Sequence, residues 1–154
     1  APTAFSALRR AEAQLLLADI ALLRDNLPLA RSALAQATPA FLAEYPPGHP
    51  ERVGVLLIEA RILLAAGDAS AALAQLDAAE PRLREWRQGT ADDSQRQDAQ
   101  VARALRAQAL ALLGDCERAL GLVGEPQAAL LLNREEIWQR AVAAASRQCR
   151  PDAI

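Results

Sequence analysis

The side chains of this chain that could take part in chemistry are few and scattered. The single histidine, His49, lies in the proline-rich segment 45–50. A general base needs a positioned partner, which the neighbouring sequence does not supply, so we predict a loop residue that hydrogen-bonds locally. One histidine and two distant cysteines do not supply the three or four ligands that a metal site requires. We expect neither a metal nor another cofactor.

Adjacent acidic residues occur twice, at Asp92-Asp93 and at Glu135-Glu136. Neighbouring residues of a helix point about 100° apart, so neither pair can act as a carboxylate dyad. We interpret the first pair as a helix cap and the second as part of a solvated face. Gly67 and Gly114 are isolated turn glycines and do not form a phosphate-binding loop. The sequence therefore predicts a chain without enzymatic activity.

The two cysteines, Cys116 and Cys149, stand at the start of one predicted helix and at the end of another. If these helices are antiparallel neighbours, the two thiols meet. A disulfide there closes a loop of about 34 residues and stabilises the fold by roughly 3–4 kcal/mol in the chain-entropy model. It would also indicate an oxidising compartment such as the bacterial periplasm. The alternative is two unrelated thiols in a cytoplasmic protein.

The composition predicts the elements that must position these residues. The chain has 154 residues, of which 52% are apolar, largely alanine and leucine, and only 3% are aromatic. This mixture favours closely packed helices over sheets, so we predict one all-α domain over residues 1–154. The net charge is -2 and no basic stripe stands out, which disfavours nucleic acid as a partner. No apolar run has the length of a membrane span, so direct membrane insertion is not expected.

Small residues recur around three predicted turns, at Asp25-Asn26, Gly67-Asp68 and Gly114-Asp115. Alanine stands seven residues before and five residues after the first residue of each turn: Ala18 and Ala30, Ala60 and Ala72, Ala107 and Ala119. The third copy lacks the alanine found twelve residues after the first two turns and has Pro126 there, so its second helix should stop near Gly124. Spacings of 42 and 47 residues between the turns are typical of repeat proteins.

These offsets resemble those of the tetratricopeptide repeat family, although the usual period of that family is about 34 residues. The longer spacing, with the connection Tyr45-Pro46-Pro47-Gly48-His49-Pro50, looks more like the kinesin-light-chain type, which also occurs in bacterial signalling proteins. The resemblance covers roughly residues 4–124. It implies a right-handed α-solenoid of about three helical hairpins, over about 4–45, 51–87 and 94–124, and a capping helix over about 126–148.

Two prolines interrupt the predicted second helices of the hairpins. A proline inside a helix removes a backbone hydrogen bond and clashes with the preceding turn. We expect a kink or an end near Thr38, before Pro39, and a kinked or shortened helix at Pro81.

The resemblance also implies a concave groove lined by the first helix of each hairpin. This predicted groove row comprises Leu15, Asp19, Leu22, Leu57, Arg61, Leu64, Ala104, Gln108 and Ala111. Its leucines suit an amphipathic helix or an extended peptide, and we expect Arg61 to pair with an acidic group of that partner. The row lacks the Lys and Asn set that chaperone-binding members of the family use to clamp a carboxylate. Alternatively, the last helix fills the groove.

The expected function is a non-catalytic scaffold or adaptor module of a larger bacterial signalling or assembly protein, with a protein or peptide as partner. One alternative is an extracytoplasmic ligand-sensing domain of a membrane-anchored kinase or transcription regulator. A dimerisation scaffold, which implies a homodimer, is another. The expected location is the periplasm if Cys116 and Cys149 are bonded and the cytoplasm otherwise.

Overall fold

A computed structural model of the protein describes residues 3–124 and 135–149. Within these ranges every regular element is an α-helix and no strand is present. None of the described helices is both long and apolar enough to cross a bilayer. The helices are α1 (Ala4–Leu23), α2 (Leu27–Glu44), α3 (Pro50–Ala65), α4 (Ala69–Gln88), α5 (Asp93–Leu112), α6 (Cys116–Val123) and α7 (Glu135–Cys149).

The same tight turn joins α1 to α2, α3 to α4 and α5 to α6. Its first residue has a left-handed backbone, with φ of 55° at Asp25, 84° at Gly67 and 82° at Gly114. Glycine adopts this conformation without steric cost, and aspartate is one of the few other residues that tolerate it. In each turn the next N–H donates to the carbonyl five residues back, as in a Schellman motif: Asn26 to Ala21, Asp68 to Leu63 and Asp115 to Leu110.

The residue after each left-handed position caps the helix that follows. The side chains of Asn26, Asp68 and Asp115 each accept a hydrogen bond from the backbone N–H three residues later. Such a cap satisfies one of the N–H groups that a helix leaves without a partner at its start. In α4, for example, the Ala71 N–H donates to Asp68 Oδ1 at 3.0 Å. Each turn therefore ends one helix and begins the next with only three residues between them.

The alanines at the repeated offsets are buried where the paired helices pack together. All six have a relative exposure of 0%: Ala18, Ala30, Ala60, Ala72, Ala107 and Ala119. A methyl group is the largest side chain that such a close approach of two helices accommodates, whereas the neighbouring leucines fill the wider gaps one turn away. The alanines recognised in the sequence by their repeated offsets thus mark the positions where the helix backbones lie deepest in the core.

Both internal prolines lie inside continuous helices. Because α2 runs through Pro39 to Glu44, the helix end expected near Thr38 is absent, and Phe41 belongs to the same helix. Likewise α4 continues through Pro81 to Gln88, so it is not shortened. The local cost is one lost backbone hydrogen bond in each helix. Burial of Phe41 and of the residues that follow Pro81 on the packed face outweighs that cost.

Successive helices pack against each other, and α3 also contacts both α1 and α5. The main core cluster spans α3, α4, α5 and α7, and a second one spans α1, α2 and α3. The last helix, α7, packs on α5 and α6. The start predicted for the capping helix, near residue 126, lies outside the described residues. The helix itself is present over Glu135–Cys149.

Replacing Ala72 tests whether the close approach of α3 and α4 fixes the packing. Ala72→Leu adds three carbon atoms at a position with 0% exposure and should destabilise the protein by about 1–3 kcal/mol. Chemical denaturation measures the effect. Ala74→Leu on the exposed side of α4 is the control and should leave the midpoint nearly unchanged. Equal midpoints for wild type and Ala72→Leu would contradict this packing.

Candidate functional site

The residues with possible catalytic chemistry have structural roles. His49 caps α3, since its Nδ1 accepts the backbone N–H of Glu51 at 3.2 Å, and its ring stacks on Tyr45 with 4.3 Å between centroids. This is the local hydrogen bonding predicted for it. Desolvation raises the pKa of the Tyr45 phenol, and the Glu51 carboxylate adds to the increase, so the phenol stays protonated at neutral pH. Asp92 caps α5 in a capping box with Gln95.

No three His, Cys, Asp or Glu side chains converge to hold a metal ion within residues 3–124 and 135–149. The second acidic pair opens α7, where Glu136 contacts Arg140 at 2.7 Å, one helical turn further on. The two members of the Asp92-Asp93 pair have different roles. Asp92 caps α5, whereas Asp93 forms an ion pair with Arg96 at 2.6 Å. The two acidic pairs therefore serve as a helix cap and as members of surface ion pairs.

The predicted groove row is not an open apolar surface. Leu22, Leu57 and Leu64 have relative exposures of 5%, 4% and 6%. Ala104 and Ala111 are buried as well, whereas Leu15 and Gln108 are half-buried. Most of the apolar area expected to receive a partner is therefore already used in the core. The sequence alone could not show this, because the packing of α7 decides it.

The last helix covers one half of the row. Ile137 of α7 belongs to the same core cluster as Leu57 and Leu64 and is 5% exposed. Only about 50 Å³ remains between α7 and this end of the row, in a cavity lined by residues that include Leu22, Leu64, Gln108 and Ile137. Arg140 extends the contact to the α1–α2 turn, where it binds Asp25 at 3.1 Å. In this half the alternative holds in which the last helix fills the groove.

The two charged residues of the row form an ion pair with each other. Arg61 of α3 forms an ion pair with Asp19 of α1, and the two side chains are only 10% and 12% exposed. The expectation that Arg61 pairs with an acidic group of a partner is therefore wrong, because its charge is already matched within the chain. A pair taken this far out of water needs both members, since removal of one leaves a buried charge.

The other half of the row remains accessible and forms what we call the inner pocket, a cavity of about 280 Å³ between α1, α3 and α5. Its apolar lining includes Leu15, Leu16, Leu57, Ile58 and Val101. Four carboxylates and one guanidinium also line it: those of Glu12, Asp19, Glu51, Asp98 and Arg61. The inner pocket therefore combines apolar walls with an excess of acidic groups.

An exposed apolar stripe on α1 borders the inner pocket. Leu16, Ile20 and Leu23 are 60%, 39% and 43% exposed, and their spacing of four and three residues places them on one side of the helix. We call these three residues the α1 stripe. Leu16 lines the inner pocket, and Leu23 lies at the cavity beneath α7. The leucine runs 15–17 and 22–23 were the sequence signal for this second apolar side of α1, which the predicted groove row does not include.

A second cavity lies on other helices and was also missed. The helices α2 and α4 do not pack on each other in the described structure, and α3 forms the floor between them. The resulting α2–α4 cleft has a volume of about 470 Å³ and is closed at one end by the 46–49 loop. Pro39 and Pro81, which occupy equivalent positions fourteen residues after their turns, were the only sequence feature that α2 and α4 share here.

The two cysteines lie at disulfide-bonding distance. Their sulfur atoms are 2.16 Å apart and their Cα atoms 5.2 Å apart. Cys116 is the first residue of α6 and Cys149 the last residue of α7, and these two helices pack together. The pairing predicted from the helix ends is thus present, and it fastens the covering helix to the last hairpin.

Breaking the buried ion pair should destabilise the protein more than a surface pair would. Arg61→Met keeps most of the side-chain volume but leaves the Asp19 carboxylate buried without the guanidinium. We expect a loss of about 3–5 kcal/mol in the free energy of unfolding. The double variant Asp19→Leu/Arg61→Met should regain most of that loss, because no buried charge remains. A loss below about 1 kcal/mol for Arg61→Met, the usual value of an exposed pair, would contradict the burial of this pair.

Reduction of the disulfide should lower the melting temperature. The bond constrains the unfolded chain and contributes roughly 3–4 kcal/mol for a loop of this length. Thiol titration should find no free thiol in the native protein until a reductant is added. The control is Cys116→Ala/Cys149→Ala, whose melting temperature should not respond to the reductant. Two thiols that titrate in the unreduced native protein would contradict the bond.

Comparison with protein-family models, with curated proteins and with solved structures finds no match to this chain. The resemblance to tetratricopeptide repeats therefore remains a prediction from the sequence.

Proposed function

We propose that this chain is a non-catalytic protein-interaction module that binds a segment of a partner protein at the inner pocket and the α1 stripe. The observation that carries the proposal is the stripe itself. Three large apolar side chains are 39% to 60% exposed along one side of α1, directly beside an open cavity. Contiguous exposed apolar area next to a pocket is typical of an interaction site.

The charges around the inner pocket favour a basic partner segment. Glu12 is paired with Arg9 at 3.0 Å, and Asp19 is paired with Arg61. Glu51 lies in the first turn of α3 and forms no ion pair with any described residue. Complementary potentials steer association and reject partners of like charge. The partner we propose presents an apolar face toward the stripe and arginine or lysine toward Glu51.

The architecture we propose is a tetratricopeptide-like solenoid of three hairpins. Its support is the recurrence of one turn geometry at 25, 67 and 114, with a left-handed residue, the same backbone hydrogen bond and the same cap. The fully buried alanines at equal offsets from each turn add to that support. In such an arrangement α7 has the role of the capping helix, which buries the apolar face of the terminal hairpin.

We further propose that the module belongs to a larger bacterial signalling or assembly protein and works in an oxidising compartment such as the periplasm. The support for the compartment is the Cys116–Cys149 pair at bonding distance. Bonds of this kind persist where thiols are not kept reduced.

Selection of binding peptides tests the proposed site. The immobilised full chain is used to select binders from a displayed library of random peptides, and their affinities are then measured in solution. Leu16→Ser/Ile20→Ser removes two residues of the α1 stripe and should weaken the selected peptides at least about tenfold, since each buried leucine contributes 1.5 kcal/mol or more. The control is Leu29→Ser/Leu113→Ser, which changes leucines of 39% and 47% exposure outside the inner pocket.

Charge reversal tests the sign of the partner. Glu51→Lys should weaken the selected peptides, more so at low salt than at high salt. Glu117→Lys is matched to it, because Glu117 is also an acidic residue in the first turn of a helix, α6. Selected peptides that bind the Leu16→Ser/Ile20→Ser variant as well as wild type would overturn the proposed site. A concentration-dependent dimer that the same variant dissolves would indicate instead that a second copy covers the stripe.

A further inference from the structure

We infer that the α2–α4 cleft binds a small ligand that carries a carboxylate on an apolar body. The described lining of this site shares only the buried Phe41 with that of the inner pocket and nothing with the α1 stripe, so the inference does not depend on the function proposed above. The cleft is a concave space of about 470 Å³, within the range of about 300–1,000 Å³ that small-molecule sites occupy.

The walls of the cleft suit the apolar body. Phe41 and Leu42 contribute from α2, Val55 and Leu56 from the floor helix α3, and Pro81 from α4. Phe41 is 1% exposed and is therefore fixed by the core, whereas Leu42 is 51% exposed and lies at the opening. A second depression of about 540 Å³ continues the cleft along α2, since both share Thr38, Leu42 and Glu59.

Arg52 supplies the group that recognises a carboxylate. Its Nη2 donates to the carbonyl of Leu42 at 2.9 Å, which holds the guanidinium against the end of α2. Its Nε is buried and donates to no acceptor in the described structure. The Arg52 guanidinium forms no ion pair with a carboxylate of the described residues, and a carboxylate is the acceptor that matches a guanidinium best. Because Nε itself is shielded, a ligand carboxylate binds Arg52 through the part of the side chain that lines the cleft.

The remaining charges of the cleft define the orientation of the ligand. Arg82 donates from Nε to the Gly48 carbonyl at 2.9 Å and pairs with Glu85 at 2.6 Å, so its charge is matched. Glu59 follows Arg52 by two turns of α3, roughly 10 Å along the helix axis. A carboxylate at Arg52 therefore lies at the loop end, away from Glu59, and the apolar body extends between α2 and α4.

Two natural sources present this chemistry, a fatty acid and the C-terminal residue of an apolar peptide. Isothermal titration with octanoate and with N-acetyl-dileucine, each compared with its own amide, separates them. The inference expects one of the two acids to bind at least about tenfold more tightly than its amide, because a hydrogen bond to a charged group is worth about 1.5–3 kcal/mol. Which acid binds more tightly identifies the source.

Three variants link that preference to the cleft. Arg52→Met should bring the acid and its amide to within about threefold of each other, since the charged donor is lost. Arg84→Met changes an exposed arginine of α4 outside the cleft lining and should keep the preference. Ala78→Phe should abolish binding of both forms, because the exposed Ala78 lines the cleft and a phenyl ring fills it without disturbing the core.

Equal affinity of acid and amide for the wild-type chain would overturn the inference. Unchanged binding in Ala78→Phe would also overturn it, as would the absence of binding by both acids at millimolar concentration. None of these results bears on the inner pocket, whose peptides are tested with the Leu16→Ser/Ile20→Ser variant. The two sites can therefore fail separately.

Discussion

The close approach of paired helices at fully buried alanines is the constraint on which the rest of the structure depends. Three residues, Ala60, Ala72 and Ala107, show how strict it is, since each has no exposed surface at all. Methyl groups at these positions let the helix axes approach, which brings the longer leucines one turn away into contact. With so few aromatic residues in the chain, this interdigitation of alanine and leucine supplies most of the apolar burial.

Burial also explains why the inner surface is divided into two halves. The Asp19–Arg61 pair lies between the covered half and the open half of the groove row, and it lines the inner pocket. Ile137 packs beside it and closes the apolar region on one side. An ion pair at this point cannot be covered by apolar side chains alone without a large desolvation cost. The surface toward the N-terminal end of α3 stays open, and the carboxylates of Glu12 and Glu51 make that surface acidic.

Local features of the fold were predictable from the sequence because they depend on residues close together in the chain. The turn at Gly67-Asp68 requires a left-handed residue and then a capping side chain, and both are visible in two letters. The alanine offsets follow in the same way from helix periodicity. The continuous course of α2 through Pro39 was not predictable, since the burial that compensates for the lost hydrogen bond comes partly from α3. Secondary structure was therefore predicted better where its stabilisation is local.

The site was less predictable, because exposure is a property of the assembled helices. Leu22 and Leu23 are adjacent and chemically identical, yet one is 5% exposed and the other 43%. Helix periodicity assigned Leu22 to the groove row and left Leu23 out, but it could not show that Leu22 is the buried one until the packing of α2 and α7 is known. Arg61 shows the same limitation for charge, since its partner Asp19 lies 42 residues away in the sequence. The sequence pattern proposed the row as one face of the first helices but could not show which of its members are buried and which remain accessible.

The two open sites share one wall, and the packing of that wall determines whether they communicate. One side of α3 contributes Leu57, Ile58 and Arg61 to the inner pocket, and another side contributes Arg52 and Leu56 to the α2–α4 cleft. Coupling between two sites requires an element with two discrete arrangements that both ligands bias. Contacts with α1, α2, α4 and α5 hold α3 in place, and its Ala60 is fully buried among them. Of the described residues, only the buried Phe41 of α2 lines both sites, so we expect the two proposed ligands to bind independently.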